Sequence, residues 1–253
     1  MTLRLERHGA VARLLIDRPE RRNAMTQAMW EALPQLVGQA MADDAVRVLI
    51  LASAAPGIFC AGADIDEFAR SSGDADWRAA NQSAIRSTQY ALAHAEKPVI
   101  AAMDGDCVGG GCGLAIACDL RIAAPGARIG ITPARLGIVY SLFDTRLLVE
   151  LVGPSRAKRI LFTGALHDAE TALSIGLVDE IADDPLATAE GMAGIIAGNA
   201  QHSVRSSKAI IRRILDGQTD DDAVTLGLFR DAFTLPDFAE GVAAFREKRR
   251  PDF

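Results

Sequence analysis

The 253-residue sequence has few aromatic side chains and no excess of positive charge. Phe, Trp and Tyr make up 5% of the residues, and 27 Lys and Arg stand against 33 Asp and Glu, giving a formal net charge of −6. A nucleic-acid-binding protein needs a basic surface to neutralise phosphates, and aromatic rings on which single-stranded bases stack. The composition therefore argues against a nucleic-acid partner.

Long apolar runs and paired cysteines are also missing. The longest apolar stretches, such as 108–118, are too short to span a bilayer, and the N-terminus interleaves charge with apolar residues instead of forming a signal-peptide core. The cysteines form no CxxC pair, and no histidine lies near them at zinc-site spacing. We therefore expect no membrane partner, no metal, and a cytoplasmic protein with buried thiols at Cys60, Cys107, Cys112 and Cys118.

The first half of the chain has the pattern of an α/β protein. Residues 3–7 and 11–17 alternate apolar and polar side chains around a His-Gly turn, which predicts a hairpin. Thr26 precedes apolar residues at helical spacing and is a candidate N-cap. Nearly continuous apolar runs predict strands buried on both faces at 46–52, 98–103 and 120–124. We interpret the segments that follow them, 56–62 and 105–113, as glycine-rich turns.

The second half is predominantly helical from Ser141 onward, and no low-complexity linker separates it from the first. Asp237 and Glu240 have the spacing of a capping box for the last helix. We predict an α/β core over residues 1–190 and a helical C-terminal region over 191–253.

Two small-residue segments are the candidates for binding chemistry. Gly109 to Gly113 lacks both the GxGxxG spacing of a dinucleotide site and the Gly-Lys-Ser/Thr of a P-loop. Phe59 to Ile65 is a second such segment, in which Asp64 and Glu67 are placed like a helix cap. Each is explained equally well by a tight turn. Together, two loops that follow buried strands of one sheet could bring two N–H donors to one oxygen, as in an oxyanion hole.

These segments and others resemble the enoyl-CoA hydratase/isomerase (crotonase) superfamily over nearly the whole length. Each match is weakly specific, but their ordered series is strongly so. The resemblance implies an α/β fold made of a spiral of ββα repeats, with a helical C-terminal trimerisation region. It also implies acyl-CoA thioester substrates and a homotrimer or hexamer. The matching segments are Asp17-Arg18-Pro19, Arg22-Asn23-Ala24, Phe59 to Ile65, Lys97 to Ala102, Gly109 to Cys112, Cys118-Asp119, Phe162-Thr163-Gly164, Gly176-Leu177-Val178, Glu240-Gly241, Phe245, and Glu247-Lys248-Arg249.

The resemblance also implies site residues. Family members polarise the thioester carbonyl with two backbone N–H groups, which correspond to Ala63 and Gly110. Coenzyme A is part of the substrate, so no separate cofactor is implied. Expected CoA contacts are Arg22, Ala61, Asp64, Ile65 and Lys248. Basic residues near helix ends are otherwise ordinary solvated charges.

The sequence departs from the family where hydratases carry two glutamates. Gly113 and Pro133 occupy those positions, and neither transfers a proton. The remaining polar candidates are Tyr140, Ser141 and Asp144, whose surroundings resemble the methylmalonyl-CoA decarboxylase branch. Tyr140 is alternatively a buried ring with a paired hydroxyl, and Asp144 a carboxylate at a helix start.

The favoured prediction is an acyl-CoA enzyme that stabilises a thioester enolate and carries out decarboxylation or another reaction without hydration. One alternative is an atypical enoyl-CoA hydratase or isomerase that uses Asp144 or a water. The other is an acyl-CoA-binding oligomer without turnover, motivated by the loss of both glutamates. Products formed from a panel of enoyl and malonyl-type thioesters distinguish the three.

Overall fold

The computed structural model describes residues 2–253, and its strands form two sheets. The larger sheet has six strands in the order β1-β2-β3-β5-β7-β9, and the smaller has three in the order β4-β6-β8. The strands are β1 (Leu3–His8), β2 (Val11–Ile16), β3 (Val48–Ser53), β4 (Gly57–Cys60), β5 (Val99–Met103), β6 (Gly105–Val108), β7 (Leu120–Ala123), β8 (Ile129–Gly130) and β9 (Glu180–Ile181).

Residues 2–253 contain ten α-helices, most of them in the second half. They are α1 (Gln27–Ala42), α2 (Ile65–Ser71), α3 (Ala75–Ala93), α4 (Gly110–Ile116), α5 (Leu142–Thr163), α6 (Ala169–Ser174), α7 (Pro185–Ala197), α8 (Gln201–Leu215), α9 (Ala223–Ala232) and α10 (Pro236–Glu247). None of these helices is both long and apolar enough to cross a bilayer.

The chain winds through successive ββα units. In each unit the first strand, β3, β5 or β7, joins the large sheet, and the second, β4, β6 or β8, joins the small one. The pairs β3–β5, β5–β7, β4–β6 and β6–β8 are all parallel, so equivalent strand ends lie along one edge. The predicted α/β spiral of ββα repeats is confirmed.

The predicted hairpin and the three buried strands are also confirmed, with ends that shift by one or two residues. The hairpin pairs β1 with β2 in antiparallel register. Alternate residues of β3 enter two different cores: Leu49 and Leu51 pack towards α1 and α3, and Val48 and Ile50 towards α7. A strand covered on both faces has no solvated side, which explains the unbroken apolar runs.

Two predictions of local structure are wrong. The segments interpreted as glycine-rich turns contain strands β4 and β6 and helix α4. Four-residue strands have little local signal, because they are held by pairing with each other across the chain. The expected capping box at Asp237 and Glu240 does not form: α10 begins at Pro236 without a side-chain cap, and the Glu240 carboxylate accepts instead from Arg249 at 2.9 Å.

The predicted division at residue 190 falls within α7. This helix lays Ala189, Ala193 and Ala197 against the large sheet, so it packs as part of the core. Helices α8 to α10 follow it and carry most of the exposed large apolar side chains of the C-terminal region.

Candidate active site

A cavity of about 510 Å³ opens beside the carboxyl ends of β4 and β6. Its walls come from the loops after these strands, from helices α2 and α3, and from residues 132–144. Loops at the carboxyl ends of parallel strands lie side by side, so groups distant in sequence converge there. The lining residues include Trp30, Ala61, Ala63, Ile65, Asn81, Ile85, Gln89, Gly110, Pro133, Tyr140, Ser141 and Asp144.

The backbone N–H of Ala63 is aimed into this cavity by its neighbours. The Gly62 carbonyl accepts from Met25 N–H at 2.7 Å, and Asp64 N–H donates to the Met25 carbonyl at 2.9 Å. The Gly62 carbonyl and the Ala63 N–H belong to one trans peptide group and point in opposite directions, so the Ala63 N–H faces away from Met25. Within residues 2–253 it donates to no protein acceptor.

A buried asparagine holds the strand that leads into this loop. The Asn23 side chain donates to the Ser53 hydroxyl at 2.8 Å and to the Phe59 carbonyl at 3.0 Å, and it accepts from Arg18 N–H. Arg22 and Asn23 both have positive φ angles, of 53° and 56°, which turn the chain sharply beneath the cavity. The Arg-Asn-Ala motif thus has a structural role in fixing the Ala63 donor.

The second donor is the first N–H of α4. Gly109 has a φ of 57° and a ψ of −119°, a conformation in which a β-carbon would be strained. Its own N–H donates to the Gly130 carbonyl at 2.8 Å, which fixes the turn. Gly110 follows as the first residue of the helix, where N–H groups lack an intrahelical acceptor. Among the described residues its N–H also has no other acceptor.

The two donor loops are in direct contact. A β-carbon on Gly62 would lie 3.0 Å from the Gly110 nitrogen and 2.8 Å from the Val108 carbonyl oxygen. One on Gly111 would overlap the Cys60 carbonyl. Glycine is therefore required for this close approach, which brings the N–H groups of Ala63 and Gly110 to one side of the cavity. The two loops are in contact, and their joint binding of one oxygen stays a prediction.

Gly113 lies one turn along α4 and leaves room for two polar side chains. A β-carbon there would lie 2.9 Å from the Tyr140 hydroxyl oxygen and would overlap the Gln89 amide nitrogen. The Tyr140 hydroxyl is buried without a hydrogen-bond partner within residues 2–253. Burial, and then the nearby charge of Asp144, raise the pKa of Tyr140 well above its ordinary value, so the phenol stays protonated as a donor.

Asp144 supplies the carboxyl group of the cavity. It lies in the first turn of α5, whose N-cap is Ser141, and the Ser141 hydroxyl accepts from Asp144 N–H at 3.1 Å. The residue is only 4% exposed, and its Oδ1 has no partner among the described residues. Burial raises the pKa of Asp144 from an ordinary 3.8 to about 6. The hydrogen bond with the Ser141 side chain lowers this pKa, but by less than burial raises it.

The remaining groups of the cavity offer no second acid. Pro133 begins a short 3₁₀ helix at the wall and carries no proton. All four histidines lie outside the lining residues. Within residues 2–253 no group of three His, Cys, Asp or Glu side chains is arranged to hold a metal ion.

The residues predicted to contact CoA divide into two groups. Ala61 and Ile65 line the cavity. The Asp64 carboxylate is instead engaged in the cap of α2, accepting from Glu67 N–H at 3.1 Å, and in an ion pair with Arg18 at 2.8 Å. Its backbone stays beside the Ala63 donor.

The two predicted basic contacts lie outside the lining. The Arg22 guanidinium pairs with Asp106 at 2.6 Å and is 61% exposed. Lys248 ends α10 in a left-handed conformation and is exposed. Both side chains are exposed to solvent, and within one chain neither of them lines the cavity.

Sequence reasoning missed the wall formed by α3. Asn81, Ile85 and Gln89 recur every four residues, so they share the helix face that lines the cavity. This face carries buried amides, which give no local signal in the sequence, because polar side chains on a helix are usually solvated. Trp30 of α1, with a buried unpartnered indole N–H, was missed as well.

The chain was compared with known proteins, and the enoyl-CoA hydratase/isomerase family model matches residues 6–253. A crotonyl-CoA hydratase from Syntrophomonas wolfei is 36% identical over 98% of this chain and 96% of its own, and a short-chain-enoyl-CoA hydratase from Clostridium acetobutylicum is 35% identical over 97% and 95%. The crystal structure of an enoyl-CoA hydratase/isomerase family protein from Hyphomonas neptunium superposes with a TM-score of 0.96 at 42% identity, covering 100% of this chain and 97% of that one. With this match and the paired donor loops, the chain belongs to the enoyl-CoA hydratase/isomerase (crotonase) family and is an acyl-CoA enzyme of that superfamily.

Proposed function

We propose that this enzyme forms the enolate of an acyl-CoA thioester and moves a proton on the acyl chain without adding water. One observation carries the proposal: a single buried carboxyl, Asp144, with a pKa raised to about 6, lines the same cavity as the N–H donors of Ala63 and Gly110. A general base works best when its pKa lies near the working pH.

The chemistry follows from these three groups. The N–H groups of Ala63 and Gly110 bind the thioester oxygen and stabilise the negative charge that develops on it. The ionised Asp144 removes a proton from the carbon next to the carbonyl of a saturated chain, or from the fourth carbon of a 2-enoyl chain. The electron pair of that C–H bond becomes a carbon–carbon double bond, and the π pair of the carbonyl moves to its oxygen, directly or through the conjugated double bond. The protonated Asp144 then returns the proton to the same carbon or to another carbon of the conjugated chain, which exchanges or isomerises the acyl group.

Hydration of the usual family kind has less support. The resemblance implies that hydratases position water with two glutamates, and those positions are Gly113 and Pro133 here. Asp144 alone supplies one proton-transfer group where that mechanism uses two. The relatives named as hydratases therefore establish the family of this chain, and the reaction is a separate question for experiment.

Decarboxylation of a malonyl-type thioester is the second candidate. The buried, unpartnered Tyr140 hydroxyl supports it, because a phenol donor can orient a substrate carboxylate. An ionised Asp144 would repel that carboxylate in the same buried space. Decarboxylation would therefore be fastest below pH 6, where Asp144 is neutral and can protonate the enolate, whereas proton abstraction would be fastest above pH 6.

The pH dependence separates the two reactions in one experiment. Butyryl-CoA and crotonyl-CoA are incubated in D₂O and followed by mass spectrometry and NMR, and malonyl-CoA and methylmalonyl-CoA are followed by release of CO₂. We expect deuterium at the carbon next to the carbonyl, at a rate that rises through about pH 6 and falls roughly 10²-fold or more in Asp144→Asn. The exposed Asp231→Asn is the matched control.

Other outcomes of this experiment would replace the proposal. CO₂ release that is fastest below pH 6 would establish the decarboxylase. Hydration of crotonyl-CoA as the main reaction would show that Asp144 and a bound water together replace the two glutamates of the hydratases. Tight CoA binding without product or deuterium exchange would identify a binding protein.

We also propose that the protein assembles as a homotrimer or a hexamer. Helices α8 to α10 expose large apolar side chains, among them Ile211, Ile214, Phe229, Phe233 and Phe245. Contiguous apolar patches of this kind mark protein–protein interfaces. Sedimentation velocity is expected to give three or six times the monomer mass, and a monomer at micromolar concentration would contradict this assembly.

We also propose that the protein is cytoplasmic, and that Arg22 and Lys248 bind CoA. The four buried free cysteines suit a reducing compartment. Arg22→Ala and Lys248→Ala are expected to weaken the binding of CoA more than that of 3′-dephospho-CoA if they contact the 3′-phosphate.

A further inference from the structure

Four residues that line the cavity each carry a polar atom without a hydrogen-bond partner among the described residues. Within residues 2–253 the Gln89 carbonyl oxygen, the Tyr140 hydroxyl, the Trp30 indole N–H and Asp144 Oδ1 are all buried without hydrogen-bond partners. Buried polar groups are nearly always paired in folded proteins, because leaving one unpaired is costly. Four such atoms in one cavity indicate a ligand that supplies the missing partners.

Gln89 has no part in the proposed enolate chemistry. It is 1% exposed, and its side chain forms no hydrogen bond with residues 2–253. It enters the space that opens because Gly113 has no side chain, and the Tyr140 hydroxyl borders the same space without a hydrogen bond to Gln89. An amide beside a phenol offers both a donor and an acceptor, which is what an oxygen substituent needs.

The helix α4 gives the distance between this pair and the oxyanion hole. Gly110 and Gly113 are three residues apart, a rise of about 4.5 Å along the helix. Two to three carbon–carbon bonds of an extended zigzag chain advance about 2.5–3.9 Å, and the C–O bond of a substituent adds about 1.4 Å. A thioester whose carbonyl is held at Gly110 therefore brings the third or fourth carbon of its acyl chain to Gln89 and Tyr140.

We propose that Gln89, with the Tyr140 hydroxyl, is a specificity-determining pair that selects acyl-CoA substrates with an oxygen substituent near the third carbon over unsubstituted hydrocarbon chains. This inference rests on the proposed function for the position of the thioester carbonyl. An unsubstituted chain would cover the Gln89 amide and leave it unpaired, whereas a hydroxyl or oxo group would pair with it. Asn81, two turns earlier on the same face, extends the polar wall towards the mouth.

Binding measurements test this selection without requiring turnover. 3-Hydroxybutyryl-CoA and butyryl-CoA, which differ by one oxygen, are titrated into the assembled wild-type protein by calorimetry, and mass spectrometry verifies that the ligands stay intact. We expect the hydroxylated ligand to bind roughly tenfold more tightly or better. In Gln89→Leu the ratio of the two dissociation constants is expected to approach one, mainly through weaker binding of the hydroxylated ligand.

Controls separate this inference from a folding defect and from the reaction itself. Gln39→Leu, the same change at an exposed position of α1, is expected to keep the wild-type ratio. Equal binding of the two ligands by wild type, or an unchanged ratio in a folded Gln89→Leu, would overturn the selection. If no deuterium exchange occurs but the ratio of the two dissociation constants is preserved, only the proposed reaction is contradicted, because the ratio is measured at equilibrium.

Discussion

Replacing Asp144 by asparagine is expected to stabilise the protein while it removes the proposed base. The carboxyl is 4% exposed, with Oδ1 unpaired among the described residues, and burial is the main cause of its raised pKa. Asparagine has nearly the same shape and no charge, so the substitution removes the cost of holding a carboxylate in this environment. Residues in binding sites often carry such a cost in stability.

The size of the effect follows from the pKa. A shift from 3.8 to about 6 corresponds to about 3 kcal/mol, at 1.36 kcal/mol per unit. Because the folded state holds the proton more tightly than the unfolded state, wild type loses stability as the pH rises from about 4 to about 6, and the loss is complete above that range. Asp144→Asn is not subject to this loss, so its advantage grows over the same interval and is greatest at pH 7.5.

The assay is urea unfolding of wild type and Asp144→Asn at fixed protein concentration, between pH 4 and 7.5. We expect similar free energies of unfolding near pH 4, and a variant about 2–3 kcal/mol more stable at pH 7.5. Asp231→Asn, at an exposed carboxylate, is expected to follow the wild-type curve.

Two results would refute this reasoning. A variant that is less stable than wild type at pH 7.5 would mean that the Asp144 carboxylate has stabilising partners in the folded protein. A difference that does not change between pH 4 and 7.5 would mean that Asp144 titrates near its ordinary pKa, and the assignment of a base working near neutrality would be lost with it.

Further predictions concern the donor loops and the network beneath them. Gly62→Ala is expected to push the loops apart, because its β-carbon would lie 3.0 Å from the Gly110 nitrogen at a φ of 96°; turnover should fall by roughly 10²-fold while a CoA-only ligand still binds. Tyr140→Phe is expected to abolish CO₂ release if the protein is a decarboxylase, and to change deuterium exchange only a few-fold otherwise, as measured by the same product assays. Asp106→Asn is expected to cost about 1–2 kcal/mol at pH 7 by urea unfolding, because Asp106 binds two arginines. The Arg128 hydrogen bond lowers the pKa of Asp106, so this cost should disappear as the pH falls through that lowered value, and a cost that persists under acid would contradict an ionic origin.

The elements with strong local patterns were predictable from the sequence. The hairpin, the three buried strands and the Thr26 cap of α1 were identified within one or two residues, because burial on one or both faces leaves a periodic signature. The cap of α2 was also identified, with Asp64 accepting from Glu67 N–H. The cap of α10 was not, because Glu240 pairs with Arg249, which lies beyond the helix.

The site was predictable only in part. Two small-residue donor loops followed from the sequence pattern, the resemblance placed the donors at Ala63 and Gly110, and the structure brings the two loops into contact. Gln89 was not predictable, because a buried glutamine on a helix gives no local sign of the cavity it faces. Its importance depends on the absence of a side chain at Gly113, which is 24 residues away in sequence.

The sequence by itself determined the α/β class, the positions of three buried strands along the chain, the absence of glutamate at positions 113 and 133, and the family. The tertiary structure decided which groups meet: the contact of the Ala63 and Gly110 loops, the burial that raises the pKa of Asp144, and the polar end of the cavity at Gln89 and Tyr140. The physical reason is that strand and helix patterns arise from neighbouring residues, whereas desolvation and hydrogen-bond partners depend on atoms that the parallel sheets bring together across the chain.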